Sequence, residues 1–382
     1  MKRIRLTGYF SFLVNGMLAV MTGTIISYLV SDYGITYTAA GRMVAAQSIG
    51  NLVMVFLSGF IIQLIGRKKT LLLFPLLFAV GFGGIALTGN EAVLYVLFVL
   101  TGLGWGLCNN ILNIIIMEDS EGGGISVLYT CYAIGSFLGP FFVVLVTGLG
   151  LSWKIAVLVV AFASILAFAG FLGAKGKAVE SQNEKREPLT GKDFKFLTNV
   201  RYYVCLLLYF GYIGVEVSIN SWIVTYLSET GLLPLKLAET MFSVYWLIII
   251  FVRIFTGAFL KKMKREILLT IQWIGFAAGL TMLIFADRGI AGIIIMVVMA
   301  LFMGAISPVN AENADEFIKG KGISGGIMFA VGCAGSAILP MVVGKLTDST
   351  GISAGMKAVA IVMYVMVGVC IVNIFIKRKK QK

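Results

Sequence analysis

The stretch GAKGKAVESQNEKREPLTGKDFKFLTN, Gly173 to Asn199, is the longest polar segment of the 382 residues and lies almost at their middle. Working outward from it, charge-free stretches run over 6–31, 43–66, 70–90, 92–117, 122–153 and 155–174 on one side. On the other side they cover 267–286, 289–311, 322–344 and 358–376. Two further stretches, 202–228 and 240–260, are interrupted by one charge each, Glu216 and Arg253. A membrane helix needs roughly 20 mainly apolar residues, so the pattern predicts twelve spans, six before the polar segment and six after it. The expected architecture is all-α and membrane-embedded: a six-helix bundle over 1–174, a cytoplasmic linker over 175–198 and a second six-helix bundle over 199–382.

Composition agrees. Apolar residues make up 59% of the chain and charged residues 13%, about half the charged share of an ordinary soluble domain, and the mean hydropathy is +0.96. A water-soluble enzyme is excluded. The chain has no histidine, which removes histidine acid/base chemistry and histidine metal or haem ligation. Cys108, Cys131, Cys205, Cys333 and Cys370 stand singly in apolar runs and read as small buried hydrophobes. No cofactor, metal or enzymatic activity is expected. The basic N-terminus leads into an apolar run reaching about Val30 without a small-residue cleavage site, so it reads as a retained first span.

The net charge of +13 has an orientational meaning. With the N-terminus inside, alternate loops collect 24 of the 31 Lys and Arg, leaving Arg42, Lys154, Lys236, Arg253, Arg288, Lys345 and Lys357 outside or within spans. Positive charge accumulates on the cytoplasmic side. Both termini are therefore expected in the cytoplasm, the protein in the cell inner membrane, and no nucleic-acid partner is implied.

The two halves repeat. At an offset of 198, Ile25-Ile26-Ser27-Tyr28-Leu29 falls on Ile223-Val224-Thr225-Tyr226-Leu227, and Gly59 with Arg67 falls on Gly257 with Arg265. At an offset of 200, Asn110 and Asn113 fall on Asn310 and Asn313, and Gly135, Ser136 and Pro140 on Gly335, Ser336 and Pro340. Six spans return the chain to its starting side, so the copies are parallel. Parallel repeats place a binding site near the midplane at their interface, exposed alternately to either side as the halves rock.

Twelve spans in a six plus six repeat, together with Gly59-Phe-Ile-Ile-Gln63-Leu64-Ile-Gly66-Arg67-Lys68-Lys69 between spans two and three, resemble the major facilitator superfamily. The superfamily pattern usually has Asp where Gln63 stands and a basic residue where Leu64 stands. Gly214-Val-Glu216-Val-Ser218-Ile-Asn220-Ser221-Trp222, Thr225-Tyr226-Leu227 and Gly135-Ser-Phe-Leu-Gly139-Pro140 are similar to the fucose-permease-type sugar:proton symporters. That branch usually carries acids inside spans one and four, where this chain has none. The resemblance implies the major facilitator fold, alternating access, and a cavity lined by spans one, four, seven and ten.

Glu216, near the middle of span seven, is the sharpest single residue, because an isolated carboxylate there costs several kcal/mol unless protonated, paired or wetted. It reads either as a proton-coupling or solute-binding group, with Tyr209, Tyr212 and Asn220 on much the same face, or as the partner of Arg253. Arg253 reads as a gating or structural contact. Asn109, Asn110 and Asn113 on span four and Asn310 and Asn313 on span ten either bind hydroxyls or bond neighbouring helices. The cavity geometry that the resemblance implies turns Asn109, Asn113 and Asn310 toward the solute, with Asn15 and Thr22 on span one, and makes Gln47 and Asn51 packing contacts. Among Trp105, Tyr129, Tyr132, Trp222, Tyr245 and Trp246, the two expected to face solute are Tyr129 and Trp246. Gly59, Gly66, Arg67 and Lys68 form the loop motif's gate. Glu118, Asp119, Glu121, Glu312, Asp315 and Glu316 oppose the basic loops as inward gate pairs, with Glu312 deepest. The spacing Gly102-Leu-Gly104-Trp-Gly106 lies in an apolar span with no preceding strand and is no nucleotide loop.

The expected activity is secondary transport of a small polar solute, a sugar or related metabolite, with protons coupled through Glu216 and a monomer as the working unit. A single intramembrane acid among many aromatics also fits an exporter of lipophilic cations. A non-transporting membrane sensor would ordinarily carry a soluble output domain, and the central polar segment is too short to be one.

Overall fold

The computed structural model of the protein describes residues 2–119, 124–173, 196–318 and 322–381. Among them there is no strand. The helices are α1 (Lys2–Tyr33), α2 (Tyr37–Leu87), α3 (Glu91–Asp119), α4 (Gly124–Gly148), α5 (Trp153–Leu172), α6 (Val200–Glu229), α7 (Leu235–Lys262), α8 (Arg265–Ile284), α9 (Gly289–Met303), α10 (Ile306–Asn313), α11 (Asp315–Ile318), α12 (Gly322–Thr350) and α13 (Ile352–Gln381). Eleven segments of the described residues are long and apolar enough to cross a membrane. One of them, the 51-residue α2, holds both the second and the third expected span, which accounts for twelve.

Local chemistry sets the starts and breaks. Thr36 caps α2 by accepting the Ala39 N–H at 3.1 Å, and Asn199 caps α6 by accepting the Arg201 N–H at 3.2 Å; each satisfies a donor the first turn leaves open. In α2 the expected loop after span two is reduced to one residue: Gly66, at φ 81° and ψ 159°, breaks the helix and Arg67 resumes it. That backbone region is open to glycine and strained for residues with a Cβ. The tenth expected span, 289–311, is likewise not one rod. It stops at Met303 and restarts at Ile306 as α10.

The chain forms two compact units, Met1–Lys185 and Arg186–Lys382. Within the first, α1 packs on α4 and α5, and α2 on α3 and α5. Within the second, α6 packs on α12 and α13, α8 on α9 and α13, and α7 on α9. The α1/α4 contact of one unit recurs as the α6/α12 contact of the other, and the repeat explains why. A Cβ at Gly135 would overlap the Leu13 carbonyl, and a Cβ at Gly335 the Phe210 carbonyl. These two glycines, related by the offset of 200, let each pair of backbones touch, as membrane helices do where small residues meet.

The end of the expected linker belongs to the second unit. Residues 196–198 make a single tight turn, and Phe196 packs with Tyr202, Cys205, Ala314, Phe317 and Met328. An aromatic next to a helix start is drawn into the nearest apolar cluster because burying it removes its ring from water. The rest of the expected linker, 175–195, lies outside the described residues. On the outside of the helices, Phe60, Leu64, Phe162, Ile290 and Phe375 are largely exposed, as expected of side chains that face hydrocarbon.

Candidate functional site

In the first unit four of the expected solute-facing residues form one chain of hydrogen bonds. Asn15 of α1 donates to Asn109 Oδ1 of α3 at 3.0 Å. One turn on, Asn113 donates from Nδ2 to the Asn109 carbonyl at 2.7 Å and to the Tyr129 hydroxyl of α4 at 3.2 Å. Asn15 is buried whereas Tyr129 is 52% exposed, so the chain runs from the unit's interior to its surface. Asn110 turns away, donating to Ser58 Oγ at 2.7 Å. Gln47 links Thr22 and Thr101 at 3.5 and 3.1 Å. Asn15, Gln47, Thr101 and Trp105 line a narrow crevice with Phe78 and Phe82.

The second unit holds a different kind of cluster. Glu216 of α6 faces Arg253 of α7, with Nη2 3.7 Å from Oε1. Arg253 also donates from Nε to the Gly304 carbonyl at 3.3 Å and lies over the Trp246 ring, 5.7 Å from its centroid. The break in span ten exposes that carbonyl: Gly304 follows the last residue of α9. Gly304 permits the approach, since a Cβ there would stand 2.9 Å from the Val252 Cβ. One guanidinium thus ties α6, α7 and the break together, using an ion pair, a carbonyl and an aromatic face.

In the second unit, buried polar atoms with no hydrogen-bond partner among the described residues include the Tyr212 hydroxyl, Asn220 Oδ1, Trp246 Nε1 and both amide atoms of Asn310. Tyr212, Glu216 and Asn220 lie at i, i+4 and i+8, one face of α6. The Tyr212 hydroxyl is close to Glu216 and to Ser307 of α10, without meeting either in hydrogen-bond geometry. Asn310 sits one turn beyond Ser307 and is 1% exposed. Leaving one such buried group unmet costs about 1–3 kcal/mol; unmet atoms of the same kind also stand on Trp105 of α3 and on Gln272 and Trp273 of α8.

Other aromatics have structural partners. Trp222 donates to the Pro340 carbonyl at 3.2 Å, Tyr245 bonds Met303 Sδ at 3.0 Å, and Tyr132 packs edge-on to Phe12. Tyr209, on the expected Glu216 face, packs against the Phe196 cluster instead.

The expected gate residues fall into two groups. In the loop motif, Gly59 lies within α2, Gly66 makes its break, Arg67 is buried and Lys68 is exposed. Thr70 anchors the break by donating to the Gly66 carbonyl at 2.9 Å. In the second unit, Glu312 and Asp315 pair with Arg265 at 3.2 and 2.8 Å, and Glu316 pairs with Arg201 at 2.6 Å. These pairs lie within one unit. Glu121 and the side chains of Glu118 and Asp119 lie outside the described residues.

Sequence reasoning missed Arg201. Grouped in the charge count with the cytoplasmic cations, it is 4% exposed and bonds Asn313, Asn373 and Glu316. Asn313 therefore serves this network, although its repeat mate Asn113 belongs to the first unit's hydrogen-bonded chain. Glu239 was missed as well. It lies one turn inside α7 and is wholly buried, although it stands just before the charge-free stretch 240–260.

Solved structures with the same fold include the nucleoside transporter NupG, 14% identical, with a TM-score of 0.77 over 97% of each chain. A D-xylose-proton symporter gives a TM-score of 0.78 at 15% identity, covering 97% of this chain and 96% of its own. The xylose transporter XylE from E. coli, in a partially occluded inward-open conformation, gives 0.74 at 14% identity, covering 96% of this chain and 95% of its own. No curated protein matches the sequence closely enough to count as a relative. Residues 8–340 match the sequence profile of the Major Facilitator Superfamily, and with twelve expected spans, two repeated units and a fold shared with solved transporters, the chain belongs to that superfamily and is a membrane transporter.

Proposed function

We propose that the protein moves a neutral, polyhydroxylated small solute, a sugar or a sugar-containing metabolite, across the inner membrane by alternating access. The observation that carries this reading is the set of unmet polar atoms in the second unit, above all Asn310, whose amide can donate and accept at once. Adjacent hydroxyls present that pairing. The ring of Trp246 offers a face on which a sugar ring stacks. The transporters of similar fold named above are described as carrying a nucleoside or D-xylose, which supports a ribose- or pentose-like class.

In this reading Asn15, Asn109, Asn113, Tyr129, Glu216, Asn220, Trp246 and Asn310 bind solute. Glu216 carries the coupling proton. The loop motif, Gly59, Gly66, Arg67 and Lys68, together with Arg253 and Glu312, works as the gate. Both termini face the cytoplasm. The rival reading, export of lipophilic cations, is disfavoured because Glu216 already has a cation beside it in Arg253, so the pair offers little net negative charge.

A thermal-shift panel on detergent-purified protein tests the reading with D-xylose, other monosaccharides, disaccharides, uridine and tetraphenylphosphonium. A ligand that binds the folded state raises the melting temperature. Stabilisation by a sugar or nucleoside, lost in Asn310→Ala, is the expected result. Stabilisation by tetraphenylphosphonium alone would overturn it.

A further inference from the structure

Two arginines from two other helices meet the end of α10. Arg265, the first residue of α8, donates from Nη1 to the Glu312 carbonyl at 2.8 Å while pairing with Asp315 and Glu312. Arg201, in the first turn of α6, donates from Nη2 to the Asn313 carbonyl at 2.5 Å and to its side-chain oxygen at 3.2 Å. Asn373 of α13 closes the arrangement, donating to Asn313 Oδ1 at 3.0 Å. The last carbonyls of a helix have no partner within it and carry the negative end of its dipole. Here two guanidinium groups supply the missing donors, while their charge is shared with Glu312, Asp315 and Glu316.

The same short helix carries Ser307 and Asn310. It is separated from α9 by the break at Gly304 and Ala305 and from α11 by Ala314, and its eight residues make a rod of about 12 Å. Whatever turns its capped end turns the residues that face α6. The other side of the break is held by Arg253 on the Gly304 carbonyl, so arginines from neighbouring helices hold the far end of α10 and the end of α9 just before the break.

We propose that Arg201 and Arg265 are positioning residues of the solute site: by capping α10 they set the angle at which Ser307 stands to Tyr212 and at which Asn310, one turn on, is presented. This rests on reading the second unit's polar cluster as that site. It also gives the charged end of the unit a specific way to feel solute. Occupancy that rotates Asn310 strains the two caps, and loosening the caps turns Asn310 away.

The test needs no solute. In a background with the five native cysteines replaced by serine or alanine, Ser307→Cys supplies one thiol. Its reaction rate with a methanethiosulfonate ethylammonium reagent reports how α10 stands. Arg265→Gln should raise that rate by about fivefold or more, the low end of couplings between linked sites, and Arg265→Lys should recover part of the change. Lys377→Gln should leave the rate at the parent value, because Lys377 pairs with Glu266 of α8 at 2.8 Å and not with α10. An unchanged rate in an Arg265→Gln protein that stays monodisperse and melts near the parent would overturn the proposal, as would an equal rise in Lys377→Gln. If Arg265→Gln fails to fold, the Glu312→Gln, Asp315→Asn double variant removes the same ion pairs from the other side and is judged by the same rates. Solute binding without the rate change would sink the caps' role alone. The rate change without solute binding in the parent would sink the site.

Discussion

Arg253 reaches Glu216 across 3.7 Å, about 1 Å longer than a charge-assisted hydrogen bond. The same guanidinium is engaged by the Gly304 carbonyl and the Trp246 ring. The pair is close enough to neutralise both charges in a low-dielectric surround and loose enough to open. Its second contact lies at a helix break and not within a rigid rod.

Neutralising one member should cost more than neutralising both. A lone buried charge is penalised by its desolvation, so Glu216→Gln and Arg253→Gln should each lower stability, by about 2–4 kcal/mol for a largely buried pair. The double variant should recover part of the loss. Melting temperatures of the four proteins in one detergent decide it, and a double variant no better than the worse single one would count against an energetic pair.

Coupling separates from binding at the same residue. If Glu216 carries the proton, Glu216→Gln should lose proton-driven accumulation in proteoliposomes while still exchanging labelled solute across the membrane. Accumulation at the parental level would remove Glu216 from the coupling mechanism.

The close helix crossings yield a paired prediction. Gly135→Ala and Gly335→Ala place a methyl group against a backbone carbonyl, and a carbonyl in a packed helix cannot step aside. Each should destabilise by about 1–3 kcal/mol, the usual effect of overpacking. Gly148→Ala, where nothing lies within 4 Å, should be close to neutral. Equal melting temperatures for all three would show that the crossings are looser than drawn.

Much of this architecture can be read from charge placement, because a charge in hydrocarbon is so costly that its absence over about 20 residues is already a structural statement. The same rule misleads at its edges. Glu239, just outside the expected span 240–260, is buried inside α7, and Arg201, grouped with the cytoplasmic cations, is buried within the second unit. A charge can be buried wherever neighbouring helices bring partners to it, and a linear reading does not see those neighbours. The break at Gly304 was invisible for a related reason: a glycine in an apolar run fits both a close helix contact and a stop. The amides show the limit of repeat symmetry. Asn110 and Asn310 align, yet one bonds Ser58 and the other has no partner among the described residues, because each is answered by a different helix.

That difference leads to the prediction that best separates function from packing. A buried amide serving the fold is bonded, and replacing it with an apolar residue of similar size destabilises the protein. Asn310 has neither amide atom bonded and is 1% exposed, so in the empty protein it contributes a desolvation penalty without a compensating bond. Asn310→Leu should therefore leave the melting temperature of the solute-free protein unchanged or raise it, by the equivalent of up to about 1–3 kcal/mol. Solute-dependent stabilisation and transport should both be lost. The trade runs in the direction expected of a binding residue, where activity requires polar groups that stability alone would remove. Asn313→Leu serves as the contrast: Asn313 accepts from Arg201 and Asn373, so its replacement should destabilise the empty protein. Were Asn310→Leu to unfold the protein as readily as Asn313→Leu, Asn310 would be a packing residue and the solute site would have to be sought elsewhere.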